Sequence, residues 1–143
     1  MNEKTVNLLN DIAENAEMGK SSVEKLLTIA EDASLRHHLH KQLATYEDLL
    51  KRAHAMVAVE GAMPKEQSGL TKTWAQMGIT MQTMKDKSPR KIAEMLIEGS
   101  NVGVTDMTKA LRDADGANPG AVALAQRLQD AEQQYADELT SFL

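Results

Sequence analysis

The sequence predicts an all-α protein built as a four-helix bundle. No segment of its 143 residues alternates between apolar and polar side chains as a strand does. Two of the three prolines follow a residue typical of a helix N-cap, in Ser88-Pro89 and Asn118-Pro119, which marks two helix starts. Four long segments repeat apolar residues at heptad positions a, d and e, the face that a bundle helix buries. We expect a single domain spanning residues 1–143.

The first helix, predicted at residues 3–31, has a glycine and a lysine in the middle of its apolar stripe. Gly19 falls at a d position and Lys20 at the adjacent e position. A glycine at d allows close approach of a neighbouring helix or makes room for a large side chain. Lys20 either extends along the surface to solvent or pairs with a buried carboxylate, for which Glu132 is the candidate.

The second, fourth and fifth predicted helices, at residues 34–58, 89–114 and 119–142, also have polar residues near their midpoints. Gly116 is expected to end the fourth helix. Buried polar groups need partners, because leaving one unpaired costs on the order of 1–3 kcal/mol. The sequence therefore predicts a polar central layer, a candidate pocket formed by Lys20, Gln42, Tyr46, Ser100, Glu132 and Tyr135.

The third predicted helix, at residues 70–86, is short and has one apolar face. Since the segment has no other apolar face to hold it, that stripe is expected to pack on the bundle. The alternatives are a soft-metal site for copper and an adaptable interface for dimerisation or a protein partner. The stripe comprises Trp74, Met77, Met81 and Met84.

The connections between the helices predict the topology. A few residues join the first two helices, and the short segment "DGAN" joins the last two, so each pair should be an antiparallel hairpin. About thirty residues separate the hairpins, enough to return the chain along the bundle. Two hairpins with one long crossover form the ferritin-like arrangement.

Particular stretches support the same fold. The segments "NLLNDIAENAEMGKSSVEKL" and "SGLTKTWAQMGITMQTMKDKSPRKIAEMLIEGSN", with the tyrosine-containing last helix, resemble ferritin-like proteins. The chain is most similar to an uncharacterised bacterial four-helix-bundle family within that superfamily. The resemblance covers nearly the whole chain and implies a ferritin-like fold with an extra crossover helix. It implies no activity, because that family is itself of unknown function.

A di-iron centre of this class needs an inward Glu on each of two helices and Glu-x-x-His on each of the other two. Here Glu47 is followed three residues later by Leu50, and Glu132 by Tyr135. Lys20 places a cation where the resemblance implies a metal-binding glutamate. The sequence therefore predicts that the di-iron ligand set is lost.

Four histidines lie on the second predicted helix, three of them in "RHHLH". His40 and His54 are fourteen residues apart, too far along a helix to share one metal. We expect all four histidines, including His38, to be solvated on the helix surface. A weak zinc or nickel site at His37 and His40 is the alternative.

Composition narrows the function classes. The net charge of −5 disfavours nucleic-acid binding, which needs a basic face, and the absence of cysteine excludes disulfides and thiolate chemistry. No apolar run approaches the ~20 residues of a membrane span, and the N-terminus lacks the apolar core of a signal peptide. We expect a cytoplasmic protein that binds neither nucleic acid nor membrane.

No catalytic motif or cofactor-binding motif stands out, so we expect neither an enzyme nor a bound cofactor. The expected role is that of a non-catalytic bundle acting as a homodimer or by binding another protein. One alternative is a divergent ferritin-like protein that binds metal or acts in the response to oxidative stress. Another is a small-molecule pocket at the polar layer, lined by Tyr46 and Tyr135.

Overall fold

The computed structural model describes residues 2–63 and 84–143, and all regular secondary structure in these two ranges is helical. No strand occurs in them, which confirms the all-α prediction. The final turn tightens into a 3₁₀ helix, Thr140–Phe142. The α-helices are α1 (Glu3–Leu27), α2 (Ala33–Val59), α3 (Pro89–Arg112) and α4 (Pro119–Leu139).

Each α-helix begins at a side chain that accepts a hydrogen bond from a backbone N–H of its first turn. The caps of α1 and α2 are Asn2 and Asp32. Ser88 and Asn118 cap α3 and α4 ahead of a proline, which confirms the two predicted starts. Such caps satisfy donors that have no partner within the helix.

The predicted helix ends are less accurate than the starts. The first helix ends at Leu27 rather than at residue 31, because the Arg36 guanidinium binds the carbonyl oxygens of Leu27 and Ala30 at 2.7 and 2.8 Å. Gly116, with a φ of +89°, adopts the left-handed conformation that favours glycine just beyond α3. The helix itself ends at Arg112 with Asp113 as its C-cap, so Gly116 serves the turn that follows and not the helix end that was predicted for it.

The third predicted helix falls largely outside the described residues. Trp74, Met77 and Met81 are among those not described, so their predicted apolar face stays a prediction. Residues 84–87 are described and are not helical, so the predicted end at residue 86 is wrong. Met84 is half-buried against the hydrophobic core.

The helices pack chiefly in two pairs, α1 with α2 and α3 with α4. The first turn of α1 lies beside the end of α3, where Lys4 Nζ donates to the Asp113 carbonyl at 3.0 Å. It also lies beside the start of α4, where the Asn118 backbone N–H donates to Thr5 Oγ1 at 2.7 Å.

Leucine and isoleucine side chains from all four helices form the core, including the fully buried Leu9, Ile12, Leu39, Ile92 and Leu128. Burying a side chain of this size stabilises the fold by about 1.5–3 kcal/mol. Polar residues interrupt this core at mid-height. None of the helices in the two described ranges is long and apolar enough to cross a membrane.

Candidate functional site: a cavity between α1 and α3

A cavity of about 190 Å³ lies between α1 and α3 and reaches α2 and α4 at its inner end. Gly99, Val102 and Asp106 of α3 are the exposed lining residues, so they mark its mouth. Apolar side chains form most of its walls: Met18, Val23, Leu26, Met95, Leu96 and Val102. Buried polar side chains form what we call the floor of the cavity: Asn15, Gln42, Tyr46, Ser100 and Glu132.

Gly19 explains how Tyr46 enters the floor. A Cβ atom at Gly19 would lie 2.5–2.7 Å from three ring atoms of Tyr46, closer than real Cβ contacts come. The ring therefore lies directly against the α1 backbone and is 2 % exposed. The predicted effect of Gly19, room for a large neighbouring side chain, is confirmed.

Gly103 has the same relation to Glu132. A Cβ atom there would lie 2.6 Å from the carboxyl carbon of Glu132. The carboxyl group of Glu132, on α4, thus lies against the backbone of α3, and Glu132 is 2 % exposed. Two glycines on neighbouring helices let a phenol and a carboxyl group meet, with Tyr46 Oη donating to Glu132 Oε2 at 3.2 Å.

The buried position of Glu132 changes its acidity. Burial raises the pKa of Glu132 from 4.5 to about 8, because the ionised form is poorly solvated in an apolar environment. Hydrogen bonds from Tyr46 and Asn15 lower that pKa in part, whereas the negative charge of Asp106 raises it further. Burial, followed by the proximity of Glu132, raises the pKa of Tyr46 well above 10. At pH 7 the floor therefore holds a largely protonated carboxyl group.

Two polar atoms of the floor have no hydrogen-bond partner among the described residues. They are Oε1 of Glu132 and Nε2 of Gln42, both fully buried. The neighbouring Asn15 Nδ2 donates one hydrogen bond to the Gly103 carbonyl at 3.0 Å. Native proteins pair most buried polar atoms, so an unpaired donor and an unpaired acceptor on two residues that line one cavity are candidates to contact a ligand's polar group.

Four of the six residues predicted for the polar layer line the cavity: Gln42, Tyr46, Ser100 and Glu132. Tyr135 is buried but does not line it. Its hydroxyl group instead forms a hydrogen bond with Thr45 on α2. The predicted layer therefore divides into a cavity floor and a separate contact between α2 and α4.

Lys20, the sixth predicted residue, is half-buried and does not line the cavity. It forms no ion pair with Glu132, which instead accepts a hydrogen bond from the Tyr46 hydroxyl group. Of the two alternatives predicted for Lys20, the pair with Glu132 is therefore wrong. The carboxyl group of Glu132 instead lies against the α3 backbone at Gly103.

Replacing the lysine should accordingly have little effect. We expect Lys20→Ala to change the free energy of unfolding by less than about 0.5 kcal/mol, as surface substitutions usually do. Urea denaturation of the variant beside the unsubstituted protein measures the change. A loss larger than about 1.5 kcal/mol would instead show that the ammonium group has a buried partner.

A second polar cluster lies beside Tyr135 and corrects the prediction for His38. His38 is 8 % exposed and packs edge-on against the rings of Tyr135 and Phe142. Its Nδ1 lies 3.4 Å from Glu138, while its Nε2 has no hydrogen-bond partner. Burial lowers the pKa of His38, opposed in part by Glu138. The expectation that His38 is solvated is therefore wrong.

The other histidines and carboxylates show no convergent donor set. His37, His40 and Glu47 are exposed along α2. Among residues 2–63 and 84–143, no group of three or more histidine, aspartate or glutamate side chains is arranged to hold a metal ion. Zinc and transition metals in proteins generally need at least three such ligands.

Asn15 and Asp106 line the cavity but were absent from the predicted layer. Both fall at heptad position g, which the a, d and e stripe omits. Leu8, seven residues before Asn15, is also at g and is 1 % exposed. A large apolar residue at g was thus the available signal that this side of α1 is buried.

Comparison of the chain with protein-family models, with curated proteins and with solved structures gave no match.

Proposed function

We propose that the protein binds a small, mainly apolar molecule in the cavity between α1 and α3. The observation that supports this most directly is the combination of apolar walls with unpaired polar atoms at Gln42 and Glu132. Small-molecule sites are usually concave and apolar, with a few placed polar groups that orient the ligand. The volume is comparable to engineered apolar cavities of about 150 Å³ that bind benzene.

We further propose that the bundle has the ferritin-like arrangement of two antiparallel hairpins. The contact of Lys4 with Asp113 supports an antiparallel arrangement of α1 and α3. The contact of Thr5 with Asn118 supports a parallel arrangement of α1 and α4. An up-down-up-down bundle would instead have α1 and α3 parallel. The proposed topology brings α1 and α3 together as the walls of the cavity.

The other predicted roles have less support. Three of the four residues of the candidate interface, Trp74, Met77 and Met81, lie outside the described residues, and self-association through them stays a prediction. The same holds for the alternative of metal binding or oxidative stress. The cavity supplies a site of defined size and chemistry for the small-molecule role, and the described residues supply none for the others.

Methionine-methyl NMR offers a direct test of binding. Met18 and Met95 line the cavity, whereas Met56 is half-buried on α2 away from it and Met63 is exposed. The two probes are benzyl alcohol and benzylamine, which are of suitable size and are titrated separately. We expect at least one of them to shift the methyl signals of Met18 and Met95 saturably and to leave those of Met56 and Met63 in place.

Ser100→Leu provides the matched variant, because it adds three carbon atoms at a buried position of the lining. Partial filling of the cavity should weaken binding at least tenfold while the dispersed spectrum of a folded protein is kept. If neither probe shifts Met18 and Met95, or if both act equally on the exposed Met63, the proposed function is wrong.

A further inference from the structure

We propose that the molecule bound in this cavity is an apolar amine whose ammonium group pairs with Glu132. This inference rests on the proposed function and adds the chemical class of the ligand. It follows from the acidic groups that line the cavity, from the unpaired polar atoms of two lining residues and from the size of the apolar part of the cavity.

The charges around the cavity are all of one sign. Glu132 lies at the floor and Asp106 at the mouth, and the described residues that line the cavity include no lysine, arginine or histidine. An anionic ligand would find no cation to balance it and would face two acidic groups. A cationic ligand passes Asp106 on entry and meets Glu132 at the inner end, in an environment where attraction between charges is stronger than in water.

The hydrogen-bonding capacity of the floor also fits an ammonium group. One oxygen of Glu132 is already occupied by the Tyr46 hydroxyl, and the other, Oε1, has no partner. An ammonium group offers three donors. One donor can bind Oε1, and a second can bind the side-chain oxygen of Gln42, which also lines the cavity.

The groups that face Glu132 from the other helices are Asn15 of α1, Tyr46 of α2 and Asp106 of α3. None of these is a cation that could hold the carboxylate ionised in the empty cavity. The burial that raises the pKa of Glu132 to about 8 therefore leaves the carboxyl group largely protonated at pH 7. When an ammonium group binds, the carboxyl group must lose that proton to solvent, so amine binding and proton release are coupled.

The apolar walls of the cavity limit the size and polarity of the rest of the ligand. The side chains of Met18, Leu26, Met95 and Leu96 present an apolar surface around the 190 Å³ space. That space accepts one aromatic ring or a short alkyl chain and excludes larger polar substituents. Methionine side chains adapt to irregular shapes, so the walls favour a class of apolar amines over a single compound.

Three probes of nearly equal shape separate the possibilities: benzylamine, benzyl alcohol and benzoate. By isothermal titration at pH 7, we expect benzylamine to bind at least tenfold more tightly than benzyl alcohol, and benzoate to bind the most weakly. Titrations in buffers of different ionisation enthalpy should show about one proton released for each benzylamine bound. Between pH 5.5 and 7.5, the benzylamine affinity should rise about tenfold per pH unit.

Glu132→Gln should abolish both the preference for benzylamine and the proton release, while benzyl alcohol binding is kept. Glu138→Gln is the matched control, because Glu138 lies six residues later on α4 and does not line the cavity. It should leave both properties unchanged. Asp106→Asn at the mouth should weaken benzylamine binding by severalfold and leave benzyl alcohol binding unchanged.

The outcomes distinguish this inference from the function on which it depends. If no probe binds, the proposed function itself fails. If benzyl alcohol binds as tightly as benzylamine, or if the preference for benzylamine persists in Glu132→Gln, the cavity is a binding site but the amine assignment is wrong. If proton release is absent while benzylamine is preferred, Glu132 is not the group that pairs with it.

Discussion

Gly19→Ala is expected to destabilise the protein by about 2 kcal/mol, although alanine is the better helix former. The added methyl group would lie 2.5–2.7 Å from three atoms of the Tyr46 ring. The ring is fully buried and its hydroxyl group is bonded to Glu132, so it cannot turn aside without cost. Overpacking of this kind costs about 1–3 kcal/mol or more, which exceeds the gain of up to about 1 kcal/mol in helix propensity.

Gly99→Ala is the matched control for this change. Gly99 is an exposed residue within α3, and a Cβ atom added to it meets no heavy atom within 4 Å. The same substitution should therefore stabilise the protein by up to about 1 kcal/mol. In urea denaturation, the two variants should differ by about 3 kcal/mol in the free energy of unfolding.

A smaller side chain at position 46 tests whether the Tyr46 ring causes the destabilisation expected for Gly19→Ala. In the Gly19→Ala background, Tyr46→Leu should cost less than it does in the unsubstituted protein, because the double variant removes the clash. Equal stability of Gly19→Ala and Gly99→Ala would show that the Tyr46 ring moves freely, for example into the adjacent cavity. The close packing described for Gly19 would then be wrong.

The sequence predicted the helix starts well because capping is a local property. Ser88 and Asn118 each bond to a backbone N–H only two or three residues away, so the necessary information lies in a few adjacent residues. The end of α1 was predicted poorly for the opposite reason. The carbonyl oxygens of Leu27 and Ala30 are bound by Arg36, a side chain of the next helix.

The cavity floor was predicted in part, and the errors share a cause. Gln42, Tyr46 and Ser100 fall at a or d positions and Glu132 at an e position, all within the stripe whose burial in a bundle follows from the heptad pattern. The residues that the pattern missed fall at g: the buried Asn15 and His38, and the exposed Asp106 at the mouth of the cavity. A straight helix drifts about 20° per heptad relative to the 3.5-residue repeat, so a fixed stripe misplaces its edges over long helices.

The Lys20–Glu132 pairing failed for a further reason. Opposite charges at similar heights suggest attraction, but the heptad does not specify which neighbouring helix each side chain approaches. Gly103 settles the question, because it leaves space for the carboxyl group of Glu132 on the α3 side. The cavity itself could not be predicted, since it results from how α1 and α3 pack over their whole length.

Glu132→Gln is expected to give the largest change in stability, and the change should depend on pH. The pKa of Glu132 is raised from 4.5 to about 8 in the folded protein, so folding favours the protonated form. The stability that this provides is fully present below pH 4.5 and is lost as the pH rises through 8. Glutamine is a neutral side chain of the same shape and undergoes no such loss.

The expected size of this change in the free energy of unfolding follows from the pKa shift of Glu132. Each unit of pKa difference corresponds to about 1.4 kcal/mol, so ionisation of Glu132 should cost the folded state up to about 5 kcal/mol by pH 9. Relative to the unsubstituted protein, Glu132→Gln should therefore be nearly neutral in stability at pH 5 and more stable by several kcal/mol at pH 9. Urea denaturation of both proteins at half-unit pH intervals gives the difference directly.

Two other groups must be separated from this effect, and the difference profile separates them. Burial lowers the pKa of His38, so the neutral form is favoured on folding, and its stabilising contribution is lost as the pH falls below 6.5. Its titration is common to both proteins and cancels in the difference. The pKa of Glu138 is lowered, chiefly by Gln134, so its contribution is lost only below pH 4.5. Glu138→Gln should consequently give a flat difference between pH 6 and 9.

A flat profile for Glu132→Gln over the same range would show that the Glu132 carboxyl group is ionised at neutral pH in the folded protein. That result would contradict its buried place in the cavity floor.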